Sequence, residues 1–445
     1  MSKKKSQAFR GVRKAAHISR KAFSKAANLS GRVEKKADRI IHGTDPIIQI
    51  HDKVLFEKIY AEAIPEIIPI HPALPLPGSL GTITLFIPSL QRSSFFGGTA
   101  TALIFAAKMA EKKSMHIRIV ETLVHGQAKS EDLSAFLNSN GFKIKTDEIK
   151  IVNLAGRKYN HYGYIEIHPD DVYIASAWWD AYLLERLPLL SKFIYLIQDY
   201  EPIFYNNSDH FILSESTYHS DKYIPVCNTK LMYDFMCGKG YANIAKSGVY
   251  FEPAIGVREK YGLSLEKKAG QKKRIFVYGR PAVHRNLFYN ALESINQAFS
   301  TYQLDGNEWE IYMAGQDGVA DILLDAGLTA KNLGKMPIEQ YYEFARTIDV
   351  AVSLMLAPHP SYPPLELASL GATVVTTKYQ NKADLQKYSK NIIITDADQA
   401  KITECIVKAA NVSYNQRIRN TKNDTITNDW HKALKEVVDK VSKLT

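Results

Sequence analysis

Cysteine is scarce in this 445-residue chain. Its thiols, Cys227, Cys237 and Cys405, cannot build a paired framework and their spacing suits no zinc site, so a reducing compartment is the simple reading. Long apolar runs are missing as well. None reaches the ~18 residues of a spanning helix. One of the longest, IDVAVSLMLAP (348–358), is broken by Asp349 and reads as a buried strand. The basic N-terminus is followed by no apolar core, so no secretory signal is expected. No G-x-x-x-x-G-K-[ST] loop occurs, which argues against phosphate-loop NTPase chemistry. No G-x-G-x-x-G follows a leading strand, which disfavours a dinucleotide dehydrogenase. H-E-x-x-H and paired C-x-x-C are also lacking. What remains is 45% hydrophobic and 23% charged, enough apolar material for large soluble cores.

Charge is unevenly placed. Residues 1–45 hold 13 Lys and Arg against 3 Asp and Glu, whereas the rest hold 44 against 43. The formal +11 therefore describes a tail, and the body lacks the basic excess of a nucleic-acid-binding surface. Within the tail, Phe9, Val12, Ala16, Phe23, Ala26, Val33, Ala37 and Ile40 fall near helical spacing among the cations. Such a stripe suits an anionic membrane surface. A solvated tail or an oligomerising helix are the competing readings. Nucleic acid is the least favoured partner.

Prolines 65, 69, 72, 75 and 77 forbid a regular helix or central strand over 50–80, which reads as an extended lead-in. Then strand and helix patterns alternate. TITLFIPSL (82–90), MHIRIVET (115–122), DEIKIVNL (147–154), DVYIASA (171–177) and KFIYLIQDY (192–200) read as strands, and 95–112 as a helix after a Gly turn. The series restarts at KKRIFVYGR (272–280), followed by a helix over 286–302. EWEIYMAG (308–315), KNLG (331–334), IDVAVSLM (348–355), ATVVTT (372–377) and NIIITD (391–396) are further strands, with a helix over 337–346. The expected fold is α/β, with two Rossmann-like domains facing across a cleft. The divisions are a basic tail (1–45), an N-terminal acceptor domain (46–255), a C-terminal donor domain (256–426) and an amphipathic helix (427–445) packing back on the first domain. In open α/β sheets ligands bind beyond the carboxyl ends of the strands.

Three features fall at such ends. In GRPAVHRN (279–286), Arg280 and Arg285 bring two cations to a helix start, which suits a diphosphate; two surface arginines are the plainer reading. In YPPLELASLGATVV (362–375), prolines open a short helix and Glu366 is expected in its first turn, reaching the cleft to hold a ribose diol. A favourable helix-dipole charge is the plainer reading. In FFGG (95–98) with Thr99, Gly97 and Gly98 let a ligand approach the backbone, although a tight β-α turn also explains them.

Together these motifs resemble the GT-B glycosyltransferases, most closely family 4. The resemblance implies that Arg280 is the first diphosphate cation, that Arg285 replaces the usual lysine, and that Glu366 binds the ribose. Asn286 stands where glycine is usual, and Pro358 where a first Glu would lie. YLIQDYEPIFY (195–205), LSESTY (213–218) and SLMLAPHPSYPPLE (353–366) are similar to the WsaF-type bacterial rhamnosyltransferases over roughly 80–440. That implies dTDP-β-L-rhamnose as donor and a growing cell-surface polysaccharide or lipid-linked glycan as acceptor. A non-catalytic nucleotide- or sugar-binding scaffold and a transferase with another donor are the alternatives.

The leaving diphosphate needs its charge neutralised. Asp170/Asp171 and Asp396/Asp398 read as turn carboxylates rather than a metal pair, so no metal or other cofactor is expected. Stabilisation is assigned to Arg280, Arg285 and helix N-termini, with Lys335 near the base or diphosphate. Asp199 is the candidate catalytic or acceptor-orienting carboxylate. Glu201 and Trp178 are candidates for acceptor binding, with Trp179 and Tyr182 as further stacking aromatics. His284 and His359 lie beside the donor motifs without an assigned role. The expected location is the cytoplasm, at the inner membrane face.

Overall fold

The computed structural model describes residues 63–445, apart from 92–94, 158–162 and 302–303. The basic tail, and with it the expected amphipathic stripe, lies outside the described residues. The short helix Pro65–Ile67 opens the lead-in, where Ile64, Ile67, Ile68 and Ile70 are buried. A two-stranded ribbon then pairs His71–Ala73 with Tyr164–Glu166 in parallel. Pro72 is tolerated because each strand has a neighbour on one side alone.

The first lobe is built on seven parallel strands. In spatial order they are Ile149–Asn153, His116–Glu121, Thr82–Ile87, Val172–Ala175, Phe193–Ile197, Tyr223–Asn228 and Val249–Phe251. Near-continuous burial of TITLFI and FIYLI follows from cover on both faces. The last two strands are missing from the sequence reading. Pro225 disguises the first of them. It is accommodated because the pairing with Val249–Phe251 begins only at Val226.

The second lobe repeats the plan. Its order is Ile322–Leu323, Thr329–Asn332, Trp309–Ala314, Lys273–Tyr278, Val350–Val352, Thr373–Thr377 and Ile392–Thr395, parallel except at the first edge. The helices Phe288–Ser300 and Gln399–Ala410 bury one face of the sheet, and Ile338–Ala345 and Tyr362–Ser369 the other. Each sheet runs outward in both directions from its first strand. This leaves a switch point beside Thr82–Ile87 in one lobe and beside Lys273–Tyr278 in the other. Loops leaving the carboxyl ends at these two points form a shared cleft.

The final helix, Trp430–Val441, is capped by Asp429, which accepts from the amides of His431 and Lys432. It buries Leu434, Val437, Val438 and Val441 against the first lobe, beside helix Gly97–Lys113. Each such side chain contributes on the order of 2 kcal/mol of hydrophobic stabilisation. The outgoing and returning links run together, with the Ile255 amide donating to the Thr427 carbonyl at 2.8 Å. No helix among the described residues is long and apolar enough to cross a membrane.

Candidate active site

The cleft has a volume of about 780 Å³ and is lined by both lobes. From the first come Gly97, Gly98 and Thr99 at a helix start, Ser176 and Trp179, and the run Gln198, Asp199, Glu201 and Phe204. Gly97 has φ +56° with open space where a Cβ would stand, so backbone conformation is what favours glycine there. A Gly98 Cβ would stand 3.4 Å from Gln198, whose amide donates to the Gly98 carbonyl at 3.0 Å. This 17-residue helix opens at the cleft with no side-chain cap on its first amides, a setting that attracts anions.

The second lobe supplies the cations. Arg280 and Arg285 both line the cleft. A tight turn holds them, with the Val283 amide on the Arg280 carbonyl (2.8 Å) and the Asn286 amide on Val283 (2.9 Å). Glycine is required at 279 because a Cβ there would meet the Phe288 ring at 2.7 Å. The Arg285 guanidinium carbon lies over Phe204, 3.9 Å from the ring centroid, with Nε 3.8 Å from Asp199 Oδ2. That nitrogen is buried and has no hydrogen-bond partner among the described residues. Burial pulls the guanidinium's pKa down, and Asp199 opposes the shift. Lys335 lines the opening, its ammonium 5.8 Å from the centroid of Phe96 across the cleft.

Glu366 also lines the cleft, but not as expected. The helix begins at Tyr362, before the prolines, so Glu366 is its fifth residue and lies beyond the first turn. The helix-dipole reading therefore fails. Tyr342 donates to Glu366 Oε1 at 2.8 Å, and burial lifts the carboxyl to a pKa of about 7. Tyr342 was not legible as a partner, since it comes from the helix Ile338–Ala345, 24 positions away.

Facing these groups are Asp199 and Glu201, with Asp180 buried outside the lining, and all three carboxyls have raised pKa values. Burial raises Asp199, and Arg285, the Tyr200 amide and Lys382 oppose it. Burial pushes Glu201 to about 8, and the Trp178 amide, donating to Oε2 at 3.0 Å, opposes this. Asp180, held by Thr122 and Ser176, is pushed to about 7. Lys382 carries no motif in the sequence that marks it as a cleft cation. Its ammonium is fully buried, donates to the Met355 carbonyl at 2.8 Å, and is pulled down to about 7 by burial against the attraction of Asp199.

Trp178, expected to bind the acceptor, does not reach the cleft with its ring. Its ring is fully buried, gives its Nε1–H to Tyr205 at 2.9 Å, and cannot stack on a ligand. Its contribution to the cleft is indirect, through the amide that binds Glu201. Trp179, one step around the helix, is the tryptophan that lines the cleft. Tyr182 is covered instead by the Arg186 guanidinium, 3.3 Å above its ring.

The remaining carboxylate pairs are engaged elsewhere. Asp171 bonds Arg118 at 2.6 Å, and Asp396 bonds Lys401 at 2.7 Å. Asp398 caps the helix Gln399–Ala410, and Asp170 is exposed.

Two parallel α/β lobes with an interlobe cleft, one side cationic and the other formed by a helix start, define the GT-B class of glycosyltransferases. Solved structures share the architecture. HepE from Anabaena, in complex with UDP and glucose, superposes with a TM-score of 0.53 at 9% identity, covering 82% of this chain and 100% of that one. Sucrose-phosphate synthase from Thermosynechococcus elongatus superposes at 0.54 with 8% identity, covering 82% and 99%. At such identities the likeness establishes the fold.

The family follows from sequence. The domain described as "WsaF, N-terminal domain" matches residues 82–230, and "WsaF, C-terminal domain" matches 273–407, so the chain belongs to the WsaF family. It is also 30% identical over 229 residues to the O-antigen biosynthesis protein RfbC of Myxococcus xanthus, a match spanning 51% of this chain and 17% of that protein. Fold and family together place it among the GT-B glycosyltransferases.

Proposed function

We propose that the protein transfers L-rhamnose from dTDP-β-L-rhamnose to a growing cell-surface polysaccharide or lipid-linked glycan, without a metal. The observation that carries this reading is the meeting of Arg280 and Arg285 with Glu366 and the Gly97–Thr99 helix start in one cleft. Breaking the sugar–phosphate bond puts negative charge on the diphosphate. Fixed guanidinium groups and helix amides stabilise that charge without reorganising. Lys335 adds a cation at the rim, and Asp199 orients the incoming hydroxyl.

Glu366 is placed to accept a hydroxyl of the donor's nucleotide sugar, since Tyr342 donates to Oε1 and the carboxyl keeps further acceptor positions. Calorimetric titration in a chelator tests the reading. It predicts that dTDP-rhamnose binds at least about ten-fold tighter than UDP- or GDP-glucose. A preference for either of the latter would reassign the donor, and no binding of any nucleotide would overturn the function.

At the cytoplasmic membrane face, residues 1–45 supply a net positive charge to anionic lipid. Leu74, Leu76 and Leu80 follow them as exposed apolar side chains, at 90%, 65% and 79%. Flotation with anionic vesicles, lost on deleting 1–45, is the expected result; flotation unchanged by the deletion would refute it.

A further inference from the structure

His359 lies among the donor motifs and has no role in the preceding reading. Its ring is buried, 6% exposed, yet it lines the cleft. The Ser361 amide donates to Nδ1 at 2.9 Å. A nitrogen that accepts a hydrogen bond carries no proton, so in the neutral ring the proton sits on Nε2. Burial, with Lys382 close by, pulls the pKa down to about 3, which keeps the ring neutral. Nε2 is buried and has no hydrogen-bond partner among the described residues. A buried N–H without a partner is costly unless a ligand satisfies it.

The surrounding backbone supports the same arrangement. Ser361 adopts φ +71° and ψ 145°, a region that side chains rarely occupy, and in that conformation its amide binds His359. The His359 ring stacks on Tyr362, with centroids 5.7 Å apart. The Tyr362 hydroxyl crosses the seam to Thr101 Oγ1 (2.5 Å) and receives Asn228 Nδ2–H (3.0 Å). Asn228 Oδ1 is then a second buried polar atom of the cleft lining without a partner among the described residues. Thr229, next to it, has φ +87°. An uncharged donor and an uncharged acceptor are thus held through Tyr362 at the interlobe seam.

We propose that His359 Nε2–H, with Asn228 Oδ1, hydrogen-bonds hydroxyls of the transferred sugar. The inference rests on the nucleotide-sugar reading of the cleft. Uncharged groups suit sugar hydroxyls, which donate and accept, whereas the diphosphate is served by the neighbouring guanidinium groups. His359 is a sugar-binding residue rather than a base, because Nε2 already holds a proton and Nδ1 is occupied by the Ser361 amide.

The test compares dTDP with dTDP-rhamnose on three proteins: wild type, His359→Leu and His359→Gln. A Gln amide can place an N–H close to the position of Nε2. The expected result is that His359→Leu binds dTDP within about three-fold of wild type but dTDP-rhamnose about ten-fold or more weakly, and that His359→Gln recovers most of the loss. Equal losses for both ligands would overturn the inference, since they would mean a phosphate contact or a damaged fold. So would unchanged binding of dTDP-rhamnose by His359→Leu, or a failure of Gln to rescue. If wild type binds neither ligand, it is the nucleotide-sugar reading itself that fails.

Discussion

The two walls of the cleft solve opposite electrostatic problems. The second lobe gathers Arg280, Arg285 and Lys335 at its lining, with Lys382 buried behind. The first lobe presents Glu201, whose burial holds it toward the neutral form at about 8, with Asp180 buried outside the lining at about 7. Asp199 stands between the walls. It belongs to the first lobe, where burial raises its pKa, and Arg285 and Lys382 of the second oppose that rise. The difference teaches that the cleft is polarised before any ligand arrives. An anionic donor meets cations on one side and largely uncharged polar groups on the other.

The comparison is broken most severely at Asp199. Asp199→Asn removes the carboxyl beside Arg285 while keeping its shape. The expected result is a fall in transfer rate of about 100-fold with dTDP affinity within about three-fold of wild type. A large loss of dTDP affinity would show instead that Asp199 chiefly positions Arg285.

A smaller effect sharpens the contrast through pH. Glu201 has a folded pKa of about 8 against an ordinary value of 4.5. Below 4.5 it is protonated in both folded and unfolded chains. As pH rises toward 8 the unfolded chain releases its proton first, so this group's stabilisation is lost across that window. Glu201→Gln fixes the neutral form. Its melting midpoint, relative to wild type, is therefore expected to climb by several degrees, on the order of 5 °C, between pH 5 and pH 8.5. A difference that stays flat or shrinks with pH would mean that Glu201 is ionised in the folded protein.

The walls also differed in how far the sequence revealed them. Arg280, Arg285 and Glu366 are charged residues at the ends of apolar strands, a pattern visible without coordinates. The first wall depends on rotation and depth. Trp178 and Trp179 are neighbours in sequence, and their helical phase buries one while exposing the other to the cleft. Glu366 was placed a turn too early because two prolines mark a helix start that begins one residue sooner. Lys382 carries no signal, since its meaning comes from burial beside Met355 and Asp199. His359 was seen as a residue but not as a donor, because its tautomer is set by the Ser361 amide. The strand Tyr223–Asn228 was hidden by Pro225, whose missing N–H matters little where the strand has a single neighbour.

The central claim is that guanidinium groups of the second lobe hold the donor diphosphate. It is tested most directly by repeating the dTDP titration on Arg280→Ala. The account predicts a loss of affinity of about 100-fold, in keeping with removal of a charge-assisted pair. Affinity within two-fold of wild type would contradict it.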